Sequence, residues 1–292
     1  MGFAKVSSIF LVALFLINGC YSTTFTVVNK CNYTVWPGLV TGDVTTNFPE
    51  PSGFTLNTGE SRSISIPYGW AGRLWARTLC NTTGAFTCVT GNCGSSTIEC
   101  SDAGSIRPAT VAEFTLNGPG NLDSYDVSLV DGFNVPMTII PRLGKPGVGN
   151  CTVTGCPTDL NAVCPDRLKV PAEVGGAAVA CMSACVLSGK PEDCCSGAFG
   201  TPDTCKPSNS SAFFKKACPR AYSYAYEAGT NTYTCSDADY LITLCAHTYS
   251  PSPPRSSQPD FNSVSTASSL AASGTIFSVA FSLCVLGVAR FL

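Results

Sequence analysis

Histidine is nearly absent: there is one in 292 residues, His247, placed beyond Cys245 where the cysteine-rich part ends. That excludes Ser-His-Asp and Cys-His nucleophilic catalysis and the usual zinc hydrolase sites. Charge is scarce too, at 12% of residues, with 17 basic against 19 acidic side chains. Such a balance gives no bulk attraction to nucleic acid or anionic lipid. No G-x-x-x-x-G-K-[ST] and no G-x-G-x-x-G follows a strand pattern, so nucleotide chemistry has no support. What remains is the chemistry of carboxylates, arginine and aromatic rings, which in a secreted chain points towards carbohydrate. No metal or cofactor is expected.

The long apolar runs sit at the two ends. Met1–Ser22 has one early Lys5, an apolar stretch from Ile9 to Ile17, then small residues at Cys20 and Ser22. This reads as a secretory signal peptide cleaved after Ser22, since the run is too short to span a membrane. Ile276–Leu292 is nearly all apolar, interrupted late by Arg290, behind a Ser/Thr/Ala spacer and a Pro- and Ser-rich stalk over residues 246–262. Small residues, spacer and apolar tail form a glycosylphosphatidylinositol (GPI) attachment signal over residues 263–292, with Asn262, Ser263 and Ser265 as candidate attachment residues. The alternative is a transmembrane helix, but no basic flank follows it. The expected place is therefore the outer face of the plasma membrane and the cell wall.

Of the 18 cysteines, Cys20 and Cys284 fall in these end segments, and the remaining 16 make an even, dense set. In an oxidising compartment that reads as eight disulfides, and without histidine a zinc reading fails. Sequons at Asn32, Asn81, Asn150 and Asn209 fit the same compartment. The secreted part, about 220 residues, suffices for one large core. It carries a small negative charge, since 15 basic side chains remain against all 19 acidic ones once Lys5 and Arg290 are set aside.

From Thr23 to Leu143 the texture is short strands and turns. "TFTVVNK", "YTVWPGLV", "SRSISIPYG", "RLWART", "VAEFTL" and "YDVSLV" carry β-branched or aromatic residues bounded by Gly, Pro, Asn or Asp. Several such strands predict a mainly β fold, a sandwich or barrel. Between Cys151 and Cys218 the strand pattern gives way to frequent cysteines. "PAEVGGAAVACMSACVLSG" and "SAFFKKACP" there read as short helices. "YTCSDADYLITLC" returns to strand character.

Alternation places Glu113 outward, opposite to Ala112, Phe114 and Leu116. It puts Arg73, Trp75 and Arg77 on one face, where they could grip a sugar or simply stack on one another. Asp126 reads as a solvated strand residue and Asp131-Gly132 as a turn. Their spacing sets them on opposite faces unless the strand bends after Val130.

"GAFTCVTGNCGSSTIEC" resembles the signature of the thaumatin-like proteins of plant defence, with Thr90-Gly91-Asn92-Cys93 where that family usually has T-G-D-C. "TFTVVNKCNYTVWPG", "GRLWARTLC", "VSLVDGFNVPM", "DCCSG" and "CPRAYSYAY" match other landmarks, so the resemblance covers Thr23 to about Cys245. It implies a thaumatin-like β-sandwich, a disulfide-rich loop and helix domain, and a small disulfide loop. It also implies the pairs Cys31–Cys245, Cys80–Cys88, Cys93–Cys100, Cys151–Cys235, Cys156–Cys218, Cys164–Cys181, Cys185–Cys194 and Cys195–Cys205.

By the same resemblance an acidic cleft takes Arg73, Glu113, Asp126 and Asp131. Glu227 falls at the fifth place, where relatives commonly have Asp-Asp and this chain has Glu227-Ala228. The leading expectation is a monomeric, membrane-anchored defence protein binding β-1,3-glucan-type wall polysaccharide. The second is a weak endo-β-1,3-glucanase with Glu113 as acid and Asp126 as nucleophile or base. The third is an inhibitor or sensor working on protein partners through its loops.

Overall fold

The structure is a computed structural model and is described over residues 22–42, 49–101, 103–142, 148–173, 176–227 and 231–246. The leader before Ser22, His247, most of the stalk and the tail with Asn262, Ser263 and Ser265 lie outside the described residues. So does Ala228.

β1 (Ser22–Asn29) shows the expected alternation, burying Phe25 and Val27. It pairs antiparallel with β3 (Ser61–Pro67) and parallel with β13 (Asp239–Leu244). β13 in turn pairs with β8 (Met137–Arg142), and β8 with β9 (Thr154–Cys156), completing a five-stranded sheet. A parallel pair between the first strand and the last fixes the two ends of the domain side by side, and Cys31–Cys245 locks them there.

The second sheet runs in the order β12 (Tyr233–Cys235), β7 (Leu122–Ser128), β6 (Val111–Gly118), β4 (Ala71–Asn81) and β2 (Trp36–Thr41), with β5 (Thr87–Thr90) paired to β4. The two sheets pack face to face through Phe25, Trp70, Phe114, Tyr125 and Tyr240, with the Phe25 and Phe114 rings 4.4 Å apart. Asp123, on the core-facing side of β7, accepts from the Asn117 amide and the Tyr240 hydroxyl, both at 2.8 Å. Each oxygen of that carboxyl therefore has a donor, which a buried carboxyl needs.

All eight disulfides close in the pairs that the resemblance implies. The region from Cys151 to Cys218 departs from the expected loss of strands. Besides β9 it holds a two-stranded ribbon, β10 (Lys169–Pro171) with β11 (Ala178–Cys181). The helix expected across "PAEVGGAAVACMSACVLSG" shrinks to α1 (Ala184–Ser188). The cause is local: Cys181 exchanges backbone hydrogen bonds with Phe133 at 2.7 and 2.8 Å and is tied to Cys164. Ser183 then caps the helix by accepting from the Val186 amide, which sets its start. α2 (Pro191–Cys194) follows, and α3 (Asn209–Ala217) forms as expected behind a Ser208–Ser211 capping box.

Strands β5 and β8 are additional to the six stretches expected. The outward face of β4 is also not open. Trp75 and Arg77 are fully buried beneath the Cys93–Cys100 loop, with Ala109 and Val111. The Arg77 guanidinium donates to the carbonyls of Trp36, Pro37 and Ile98 at 2.9, 3.0 and 2.7 Å and lies over the Phe86 ring. Burial lowers its pKa to about 10, against the opposing pull of Glu99. Gly53 is required at this seam, because a Cβ there would stand 1.9 Å from the Ile98 carbonyl oxygen. Neither a sugar grip nor stacking on an exposed Trp describes Trp75 and Arg77: they form a second, structural core.

Candidate functional site

Arg73 alone of that β4 trio remains on the surface. The strand register sets Arg73 opposite Glu113, and Glu113 opposite Asp126, so the three side chains form one row across β4, β6 and β7. Directly opposed strand residues have Cβ atoms about 4.5–5.5 Å apart, close enough for their charges to act on one another. Arg73 Nε meets Glu113 Oε1 at 2.7 Å, with the two side chains 54% and 32% exposed. The next row, Ala71, Thr115 and Ser124, adds two hydroxyls on the same face. Together with Thr232 these groups line a cavity of about 290 Å3.

Asp126 differs from its neighbours in the row. Its Oδ1 is buried and no protein donor reaches it. Its pKa is raised to about 8, chiefly by burial and then by the Glu113 charge, with the Arg73 charge opposing both. Asp126 is thus the carboxyl that keeps its proton through neutral pH. The solvated carboxylate read from the strand pattern is replaced by a half-buried acid.

Asp131 and Glu227 do not line this cavity. β7 ends at Ser128, and the chain turns through Leu129–Gly132, with the Gly132 amide donating to the Leu129 carbonyl. Gly132 holds φ 91°, as the Asp-Gly turn signal requires. The turn delivers Asp131 to Arg107, whose Nε meets Asp131 Oδ1 at 2.6 Å.

Glu227 belongs to the segment that runs beside the end of β7, where the Tyr222 and Leu129 amides bond to the Val127 and Tyr222 carbonyls. Its carboxylate accepts from the Ser223 amide and hydroxyl, the Asn231 amide and Lys215. Burial raises its pKa, but the hydrogen bonds from Lys215 and Ser223 and the Lys215 charge outweigh burial and leave it lowered. Both oxygens are engaged within the protein, so Glu227 fastens its own segment rather than presenting a free acceptor.

The hydroxyls of Thr115 and Ser124 were within reach of sequence reasoning, since they stand two residues from Glu113 and Asp126 on the same faces. Arg107 and Lys215, the partners of Asp131 and Glu227, had no local signal. Among the described residues no cluster of His, Cys, Asp and Glu could hold a metal ion, and no helix is long and apolar enough to cross a membrane.

A two-sheet sandwich locked by eight disulfides, with a disulfide-rich lobe and a charged row on one sheet, is the architecture of the thaumatin-like class, which is generally extracellular. The chain belongs to the thaumatin family, whose family profile matches residues 29–246. It is 49% identical over 255 residues to thaumatin-like protein 1 of Arabidopsis thaliana, covering 83% of this chain and 93% of that one. It is 45% identical to pathogenesis-related thaumatin-like protein 3.5 of Cryptomeria japonica, over 84% of this chain and 99% of that one. A Prunus avium protein named glucan endo-1,3-beta-glucosidase is 44% identical over 78% of this chain and 92% of its own length.

Proposed function

We propose that this chain is an extracellular, GPI-anchored defence protein that binds β-1,3-glucan-type wall polysaccharide on the Arg73–Glu113–Asp126 face. The observation that carries the reading is that row: a guanidinium and two carboxyls side by side on one sheet face, with Thr115, Ser124 and Thr232 around them. A sugar hydroxyl is both donor and acceptor. The face offers it a carboxylate acceptor in Glu113 and donors in Arg73 and the Asp126 acid. Asp131 and Glu227 stand outside that row and hold the turn and segment next to β7 through their ion pairs with Arg107 and Lys215. The test is binding of the disulfide-intact domain to a panel of β-1,3-, β-1,4- and α-linked glucans. Selective capture of the β-1,3 series supports the proposal, and equal or absent capture of all three refutes it.

The glucanase reading is second, favoured by the name of the Prunus avium relative and by Asp126. If hydrolysis occurs, the raised proton affinity supports Asp126 as the general acid and Glu113 as the base or nucleophile, the reverse of the sequence expectation. Retaining hydrolysis needs the two carboxyls about 5–5.5 Å apart and inverting hydrolysis about 6.5–9.5 Å, so their separation is the discriminating quantity. Glu113 and Asp126 are neighbours on one sheet face.

A further inference from the structure

A second cavity, of about 640 Å3, lies at the end of the domain where Cys31 and Cys245 join the first and last strands. That size is within the range of small-molecule sites. Its wall includes Tyr33, Leu79, Pro136, Pro157 and Val179, and Asn32 stands on it with its side chain exposed. We propose that this cavity is the seat of an N-linked glycan carried by Asn32, whose first sugar rings pack inside it against Tyr33 and Leu79. The proposal rests on the secretory reading of the chain.

The covalent step requires an oligosaccharide carried on a lipid diphosphate in the secretory lumen. The Asn32 amide nitrogen bonds to the anomeric carbon, the sugar–diphosphate bond breaks, and the lipid diphosphate and one proton leave. Asn32-Tyr33-Thr34 supplies the acceptor sequence.

Three features of the folded chain argue that the glycan then lies in the cavity. First, the bend that carries Asn32 is clamped: Asn29 donates to the Tyr33 and Leu56 carbonyls and accepts from the Cys31 amide. A glycan rooted there begins from a fixed direction, which lowers the entropy cost of ordering its first rings. Second, Tyr33 and Leu79 leave 42% and 50% of their surfaces to water. Leu79 does so from a backbone of φ 54°, which an L side chain seldom adopts. The apolar face of a sugar ring covers such surface. Third, the Asn161 amide lines the cavity. Its Nδ2 donates to the carbonyls of Asn134 and Val179, while its Oδ1 is buried without a protein donor. Among the described residues two buried side-chain oxygens lack a donor, Asp126 Oδ1 and Asn161 Oδ1, and each belongs to a cavity-lining residue. Asn161 thus sets a polar residue, its Nδ2 already committed, in the wall that a sugar would face.

The test uses the full chain secreted from a plant host, with disulfides counted first so that failure to enter the secretory route is distinguished from failure of the proposal. Peptide mapping reads occupancy at Asn32. Hydroxyl-radical footprinting then compares the native glycoprotein with the enzymatically deglycosylated protein, Asn32→Gln and Thr34→Ala. Thr34 bonds to exposed Asn57 only, so its loss leaves the Asn29 clamp in place. Labelling of Tyr33 and Leu79 should rise severalfold when the glycan is absent, while Tyr68, exposed elsewhere on the domain, stays unchanged. Fully disulfide-bonded protein with unmodified Asn32 overturns the proposal. So does a modified Asn32 whose removal leaves Tyr33 and Leu79 labelling as it was. The deglycosylated wild type keeps the comparison valid if either variant folds poorly.

Discussion

Replacing Asp126 by Asn should stabilise the protein, although it removes a carboxyl from the proposed binding row. The carboxyl is held to about pKa 8 in the fold against an ordinary 3.8, chiefly by burial and then by the Glu113 charge. Between those values the native state binds a proton that the unfolded state has released. Stability from this group is therefore fully present below about pH 4 and is lost as pH rises to about 8. The slope is about 1.4 kcal/mol per pH unit. At pH 7 this amounts to as much as ~4 kcal/mol against a neutral isostere, and to roughly half that once water at the open side of the cleft is allowed for.

Asn keeps the shape without the charge, so Asp126→Asn should melt higher at pH 7 by roughly 4–8 °C, taking ~2 kcal/mol and the usual shift for a domain of this size. The gain should vanish towards pH 4. Thermal unfolding followed by circular dichroism from pH 4 to pH 8, disulfides intact, reads both effects. A variant that melts at or below the wild type at pH 7, or with a pH-independent difference, would refute the raised proton affinity and with it the donor role given to Asp126. Glu113→Gln should narrow the sensitive pH window from its alkaline side without abolishing it, since burial remains.

Phosphatidylinositol-specific phospholipase should release the protein from plant membranes, and retention with the C-terminal peptide intact would instead mean a spanning helix. Under denaturing, non-reducing conditions the secreted domain should show no free thiol, and reduction should collapse it, each bridge typically contributing ~2–4 kcal/mol. Several reactive thiols would contradict the eight-bridge framework. Arg77→Met should lower stability by ~3 kcal/mol or more, because the carbonyls of Trp36, Pro37 and Ile98 lose their donor inside the second core. A melting temperature unchanged in that variant would mean that water reaches those carbonyls.

Much of the sandwich was legible because one-faced burial writes a period of two into the chain: Tyr125, Val127 and Leu129 inward in "YDVSLV", Phe114 and Leu116 inward in "VAEFTL". The same rule misread β4, where the Cys93–Cys100 loop covers the second face and buries Trp75 and Arg77 as well. Period alone does not reveal that cover. The short strands β9, β10 and β11 carry too few residues for a pattern, and their pairing follows from long-range contacts such as Phe133 with Cys181. In the site, the faces of Arg73 and Glu113 could be read locally. The register that lines them up with Asp126, and the ion pairs that engage Asp131 and Glu227, depend on elements far apart in sequence.

In the proposed function the Arg73–Glu113–Asp126 row holds the sugar. Isothermal titration of a soluble β-1,3-glucan into the disulfide-intact domain, wild type against Glu113→Gln, Asp126→Asn, tests it most directly. A hydrogen bond to a charged group contributes ~1.5–3 kcal/mol, so loss of the Glu113 carboxylate alone should weaken binding by about tenfold or more. The double variant should fold, be no less stable at pH 7 than the wild type, and bind at least that much more weakly. A folded double variant with unchanged affinity would contradict it and move the binding off this face.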